Sequence, residues 1–174
     1  MTPQQALERL QAQCSRAEYC TGQIRRKLLV WSGKNELAGK QPFSQEEMEG
    51  IVGALVGDRY VDDARFADAY VRDKARFAKW GRVKVQYNLK VLGIDPMIIK
   101  VALEENSVLF DDGMLEELLR KKWNLMRPGD TLEKKWRQMK AGEPLDKRRG
   151  KLLRFALGRG FEYDRIMRAI KEFS

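Results

Sequence analysis

Histidine is missing altogether from the 174 residues, which removes the commonest general base and the commonest metal ligand. Cysteine is nearly as scarce. Cys14 and Cys20 are the only two, and their spacing fits neither a zinc pair nor a Cys-x-x-Cys redox motif, so both are expected as half-buried thiols. No apolar run approaches the roughly 18 residues of a membrane span. The opening Met1-Thr2-Pro3-Gln4-Gln5 lacks the basic-then-apolar order of a secretory leader, and a cytoplasmic protein without a membrane segment is the expectation. The 14 glycines form neither Gly-x4-Gly-Lys-Ser/Thr nor Gly-x-Gly-x-x-Gly, so neither phosphate-cradling loop is present. No segment alternates apolar and polar residues for long enough to read as a strand. These absences leave an all-α fold with no expected cofactor, metal or catalytic set.

Charge, by contrast, is plentiful. Thirty-four Lys and Arg against 25 Asp and Glu give a net charge of +9, a surplus that favours polyanions or an acidic protein groove. Residues 110–174 hold 17 of the basic and 11 of the acidic residues, net +6, which leaves +3 before them. The surplus sits mostly in the last third.

The stretch 60–103 organises the reading. Asp62-Asp63 stand where a helix N-cap is wanted, and a helix is predicted over 64–79, interrupted at Gly81. Residues 82–92 keep Val85, Leu89 and Leu92 on one face, with Gly93 as the left-handed terminator. Asp95 then caps a third helix with Pro96 at its first position. Before this unit, 2–14 reads as a helix. Ser15-Arg16-Ala17-Glu18 resembles a capping box opening a second, through Ile24, Leu28 and Trp31, and Gly33, Gly39 and Pro42 predict an exposed loop over 31–42. Ser44 with Glu47 forms another box, with a Phe43–Met48 staple, before a helix to about Val56. After the unit, Asp111 caps a helix through Leu115, Leu119 and Lys122. Further helices are predicted over 131–140, from Asp146 to Leu157, and over 163–173.

Ile99-Lys100-Val101-Ala102-Leu103 is echoed by Ile51-Val52-Gly53-Ala54-Leu55 and by Ile166-Met167-Arg168-Ala169-Ile170. Their shared order, with aspartate pairs following two of them and Gly-apolar preceding two, predicts three degenerate three-helix repeats: 1–57, 58–106 and 107–174. Each is too small to bury a core unaided, so neighbours must stack into an elongated, curved array.

Asp62 and Asp63 could be imagined as a magnesium site, but two aspartates before an apolar helix are expected to be structural caps. A nuclease reading has no other support. The predicted helix 64–79 turns Phe66, Tyr70 and Phe77 inward and sets Arg65, Arg72, Arg76 and Lys79 along another stripe, followed by Arg82. A second, denser patch comprises Lys134, Lys135, Arg137, Lys147, Arg148, Arg149, Lys151 and Arg154. Either patch reads as a solvated face or as a surface for phosphates or carboxylates. Trp136 within the second could stack on a base, but its helical spacing favours a core anchor.

Cys14-Ser15-Arg16-Ala17-Glu18 with Lys27-Leu28, then Tyr60-Val61-Asp62-Asp63-x-Arg65-Phe66-Ala67, then Trp80-Gly81-Arg82, give the chain a resemblance to the RecX family of regulatory proteins. The Asp62-Asp63-x-Arg65-Phe66-Ala67 motif and the Trp80-Gly81-Arg82 turn carry its specificity, and it covers nearly the whole chain. The resemblance implies tandem three-helix repeats in a non-enzymatic regulator, with no catalytic residues to carry over from the family. It implies binding along the groove of the RecA recombinase filament on single-stranded DNA, mostly with inhibition, and for some members direct binding to single- or double-stranded DNA. The expectation is a cytoplasmic monomer with RecA as partner. The alternative is a nonspecific DNA-binding protein that acts by competing for DNA.

Overall fold

A computed structural model describes residues 1–126 and 145–172 of the chain. Every regular element among them is helical: α1 (Pro3–Cys14), α2 (Thr21–Leu37), α3 (Gln45–Gly57), α4 (Asp63–Arg76), α5 (Arg82–Val91), α6 (Pro96–Glu105), a 3-10 turn (Ser107–Phe110), α7 (Asp112–Met126), α8 (Leu145–Arg159) and α9 (Tyr163–Ile170). The class is all-α, as expected. The helix predicted over 131–140 lies outside the described residues.

Short polar side chains set most helix starts by accepting from N–H groups that have no partner within the helix, each such cap contributing about 1 kcal/mol. Asp62 Oδ1 accepts from the N–H groups of Ala64 and Arg65, both at 2.9 Å. Asp95 accepts from Met97 at 2.7 Å and Asp111 from Met114 at 2.9 Å. The Ser44–Glu47 box closes at 3.1 and 2.8 Å. Thr2 with Gln5 forms a further box that the pattern reading missed.

Three local expectations are corrected. The Ser15–Glu18 box does not form. Ser15 ends α1, donating its hydroxyl to Gln11 O at 2.8 Å, and Glu18 instead takes the Arg65 guanidinium at 2.8 Å. Nor is 31–42 a loop, because α2 continues to Leu37. Its last turns bury Ser32 and Asn35. Ser32 Oγ accepts from Phe43 N–H at 2.9 Å, while Asn35 donates to Met1 O at 2.8 Å and Gln41 O at 3.3 Å and accepts from the N-terminal ammonium at 2.9 Å. These two inward polar residues hold Met1 and the loop at residues 41–43 against the helix, a function that apolar periodicity cannot signal. The third correction is that α4 ends at Arg76. Its inner face is Phe66, Ala67, Val71 and Ala75, and Phe77, beyond the helix end, is 82% exposed.

The chain divides into two compact units, the first comprising Met1–Val71 with Tyr87–Glu105 and the second Arg72–Gln86 with Asn106–Ser174. In the first, Leu10, Ile24, Leu28, Phe43, Ile51, Leu55 and Val61 pack into a core. In the second, Leu115, Leu119, Trp123, Leu152, Ala156, Phe161, Ile166 and Ile170 do so. The echoed segments fall on α3, α6 and α9, where Ile51 and Leu55, Ile99 and Leu103, and Ile166 and Ile170 are all buried.

Two helix-end junctions share one design. Within the first unit, the start of α2 meets the end of α5 so closely that a Cβ on Gly22 would lie 1.9 Å from Leu92 O. Arg26 Nη2 donates to Val91 O at 3.3 Å. Within the second, the start of α5 meets the end of α8. Gly81 N–H donates to Arg159 O at 2.7 Å and Val83 N–H to Gly160 O at 3.2 Å, and Lys84 Nζ donates to Gly158 O at 2.9 Å. A Cβ on Gly81 would stand 2.2 Å from Gly160 O. In both, a glycine near the start of one helix admits the carbonyl end of another, which closes on a left-handed glycine (Gly93, φ 85; Gly160, φ 83). A cation then answers the exposed carbonyls and the negative end of the helix dipole. This accounts for the Trp80-Gly81-Arg82 turn as a packing requirement.

Candidate partner-binding surface

The basic residues singled out from the sequence do not share one role. Arg65, on the first turn of α4, is held by Glu18 at 2.8 Å, and its guanidinium nitrogens reach Arg59 O and Tyr60 O at 3.4 to 3.5 Å. That geometry ties the loop before α4 to the loop before α2, so Arg65 works as a brace within the first unit. Arg72 and Arg76 are exposed on the last turns of α4, while Lys79 and Arg82 are half-buried on the turn into α5. Lys79 adopts a left-handed backbone, φ 52, which is uncommon for a residue with a side chain. It lies near enough to Glu117 to help hold that carboxyl below its usual range, after the hydrogen bond and charge of Lys121.

The turn carrying these cations is pinned by others that the sequence reading passed over. Lys84 Nζ sits 4.5 Å and Lys74 Nζ 5.5 Å from the Trp80 ring centroid, and the Arg159 guanidinium donates to Ala78 O. Trp80 is thus half-buried and flanked by two ammonium groups. The signal in sequence was only the Trp-Gly pair; Arg159 is remote in the chain.

On α8, Lys147, Lys151 and Arg154 are exposed and Arg149 is half-buried. Arg148 stacks over Trp123 at 3.8 Å, with Nε and Nη2 both buried. Trp123 is itself 3% exposed and packs in the core of the second unit. Lys134, Lys135, Arg137 and Trp136 lie outside the described residues. The remaining basic candidates of the second unit fall on the α4–α5 segment and on α8.

Asp62 and Asp63 act as hydrogen-bond acceptors for helix starts, Asp62 for its own helix and Asp63 for Thr21 at the start of α2. Among the described residues no group of three acidic or thiol side chains is placed to hold a metal ion, and no helix is long and apolar enough to cross a membrane. Burial pushes the Cys14 and Cys20 thiols above their ordinary value.

The fold and its surface define an all-α protein of three-helix repeats that presents clustered cations. Two family models match it, the second three-helix domain of RecX over residues 62–103 and the third over residues 130–170. Curated relatives agree. Regulatory protein RecX of Clostridium acetobutylicum is 28% identical over 137 residues, covering 76% of this chain and 56% of the relative. Regulatory protein RecX of Neisseria meningitidis is 27% identical over 128 residues, covering 74% and 71%. Among solved structures, a crystal structure of regulatory protein RecX superposes with a TM-score of 0.67 at 19% identity over 98% of this chain and 71% of that one. RecX from Lactobacillus salivarius gives 0.63 at 19% identity, over 98% and 95%. The chain is similar to RecX family proteins in their second and third three-helix domains. It spans just over half the length of the Clostridium relative that it matches.

Proposed function

We propose that this protein regulates the RecA recombinase by binding its filament on single-stranded DNA and inhibiting ATP turnover, filament extension and strand exchange. The observation that carries this reading is the match to two RecX three-helix domains, together with relatives named as regulatory proteins. In this reading the chain acts as a cytoplasmic monomer without catalysis of its own, built from repeats at 1–57, 58–106 and 107–174.

The partner-facing cations are Arg72, Arg76, Lys79 and Arg82 on the α4–α5 segment and Lys147, Arg149, Lys151 and Arg154 on α8, with Lys134, Lys135 and Arg137 completing the second group. Positive charge suits both the phosphates of single-stranded DNA and acidic side chains of a protein groove. Co-sedimentation of the protein with RecA filaments formed on single-stranded DNA tests the reading. Retention in the pellet at salt concentrations that release it from naked DNA supports a protein contact. A second reading, competition for DNA alone, is favoured by the net charge of +9 and predicts pelleting that follows DNA affinity at every salt concentration.

A further inference from the structure

Within residues 72–82 one large apolar side chain is turned fully outward. Phe77 is 82% exposed, although the helix before it buries Phe66, Val71 and Ala75. Around it, residues 72–82 contain Arg72, Lys74, Arg76, Lys79 and Arg82 against one acidic residue, Asp73. The backbone that carries the ring is anchored throughout. Phe77 N–H donates to Asp73 O at 3.0 Å, Trp80 N–H to Lys74 O at 3.0 Å and Gly81 N–H to Arg159 O at 2.7 Å. The neighbouring indole is already covered, with Lys84 and Lys74 against its ring. Phe77 is therefore presented on a rigid turn, with cations before and after it.

We infer that Phe77 is a stacking platform for one base of single-stranded DNA, with Arg76 and Lys79 serving the phosphates that flank that base. Single-stranded nucleic acid alternates an anionic phosphate with an apolar, π-faced base, and sites for it alternate cations with exposed aromatics. A dry protein interface would bring other large apolar side chains into a patch around the ring. Here the residues that flank Phe77 on the segment are mostly charged. Because the backbone that carries the ring is anchored before binding, little backbone ordering entropy is lost on contact. The inference deepens the proposed function, on which it rests for single-stranded DNA being the polymer that the protein meets.

The test compares the full chain's affinity for oligo(dT) with its affinity for an abasic oligonucleotide of equal length, by fluorescence anisotropy across a salt series. The intact protein prefers the base-bearing strand roughly tenfold, within the range of one base stack. Phe77→Ala removes the preference and leaves the salt slope unchanged, and Phe77→Trp restores it. Arg76→Ala keeps the preference and lowers the log–log slope by about 0.7. An intact protein without the preference overturns the inference, as does a folded Phe77→Ala variant that retains it. If Phe77→Ala loses filament binding yet keeps the oligo(dT) preference, the ring faces protein and the inference is overturned. Failure of the intact protein to pellet with filaments while the preference is present counts instead against the proposed function alone.

Discussion

Asp63 and Thr21 join two helix starts through a single carboxylate: Oδ1 accepts from the Thr21 N–H at 2.8 Å and Oδ2 from its hydroxyl at 2.7 Å. Asp63 is also the first residue of α4, so its negative charge lies favourably at the N-terminal ends of α2 and α4 together. Asp63→Ala leaves the half-buried Thr21 N–H without this acceptor and is expected to lower stability by about 1–3 kcal/mol. Asp62→Ala, which removes an ordinary cap, lowers it by about 0.5–2 kcal/mol. Urea titration measures both, and unchanged midpoints would refute the structural role of the pair.

The junction glycines give a sharper contrast. A Cβ on Gly81 meets the backbone of Gly160 and Phe161 at 2.2 to 2.6 Å, and backbone cannot swing aside as a side chain can. Gly81→Ala is expected to destabilise by about 1–3 kcal/mol or more. Gly33, inside α2 with nothing within 4 Å of its Cβ position, should gain about 0.5–1 kcal/mol as Gly33→Ala through the higher helix propensity of alanine. Thermal melts of the two variants should move in opposite directions.

Arg65 and Arg76 were indistinguishable as members of one basic stripe, and the structure separates them. Arg65→Ala breaks the brace to Glu18 and is expected to lower stability by about 0.5–1 kcal/mol, the upper range for an exposed ion pair. Arg76→Ala should change stability by no more than about 0.5 kcal/mol while weakening filament binding. Denaturation and co-sedimentation of the two variants decide the matter; equal loss of binding with unchanged stability would return Arg65 to the contact surface.

Cys20 yields a pH dependence. Its folded pKa is raised above the ordinary 9.0, chiefly by burial, so the folded protein holds the thiol protonated at a pH where the unfolded chain begins to release the proton. The associated stability is fully present below about pH 9, the ordinary value, and is lost as pH rises through the folded pKa. Cys20→Ser should flatten the decline in stability above that point. Alkylation of Cys20 by iodoacetamide at pH 8 should be slow unless the protein is unfolded.

Much of this fold is legible in the sequence because helix ends are local. The caps at Ser44, Asp62, Asp95 and Asp111 and the terminator at Gly93 each depend on residues within one turn. What escaped detection depends on partners far along the chain. The true start of α2 needs Asp63, the continuation of α2 through Gly33 needs the loop and N-terminal groups that Ser32 and Asn35 hold, and the Trp80-Gly81 turn needs Arg159 and Gly160. The basic surface was legible as composition but not as geometry. Nothing near Arg65 in sequence announces Glu18, and nothing near Arg148 announces Trp123. Phe77 was misread because its inward assignment assumed that α4 continues to Lys79.

The central claim, regulation of a recombinase filament, is tested most directly by ATP hydrolysis of preformed RecA filaments with naked single-stranded DNA held in excess. The account predicts that hydrolysis falls at protein concentrations that leave most of the naked DNA unbound, and that Arg76→Ala shifts the inhibition curve to higher concentration. Inhibition that begins only once the naked DNA is saturated, or its absence altogether, would contradict it.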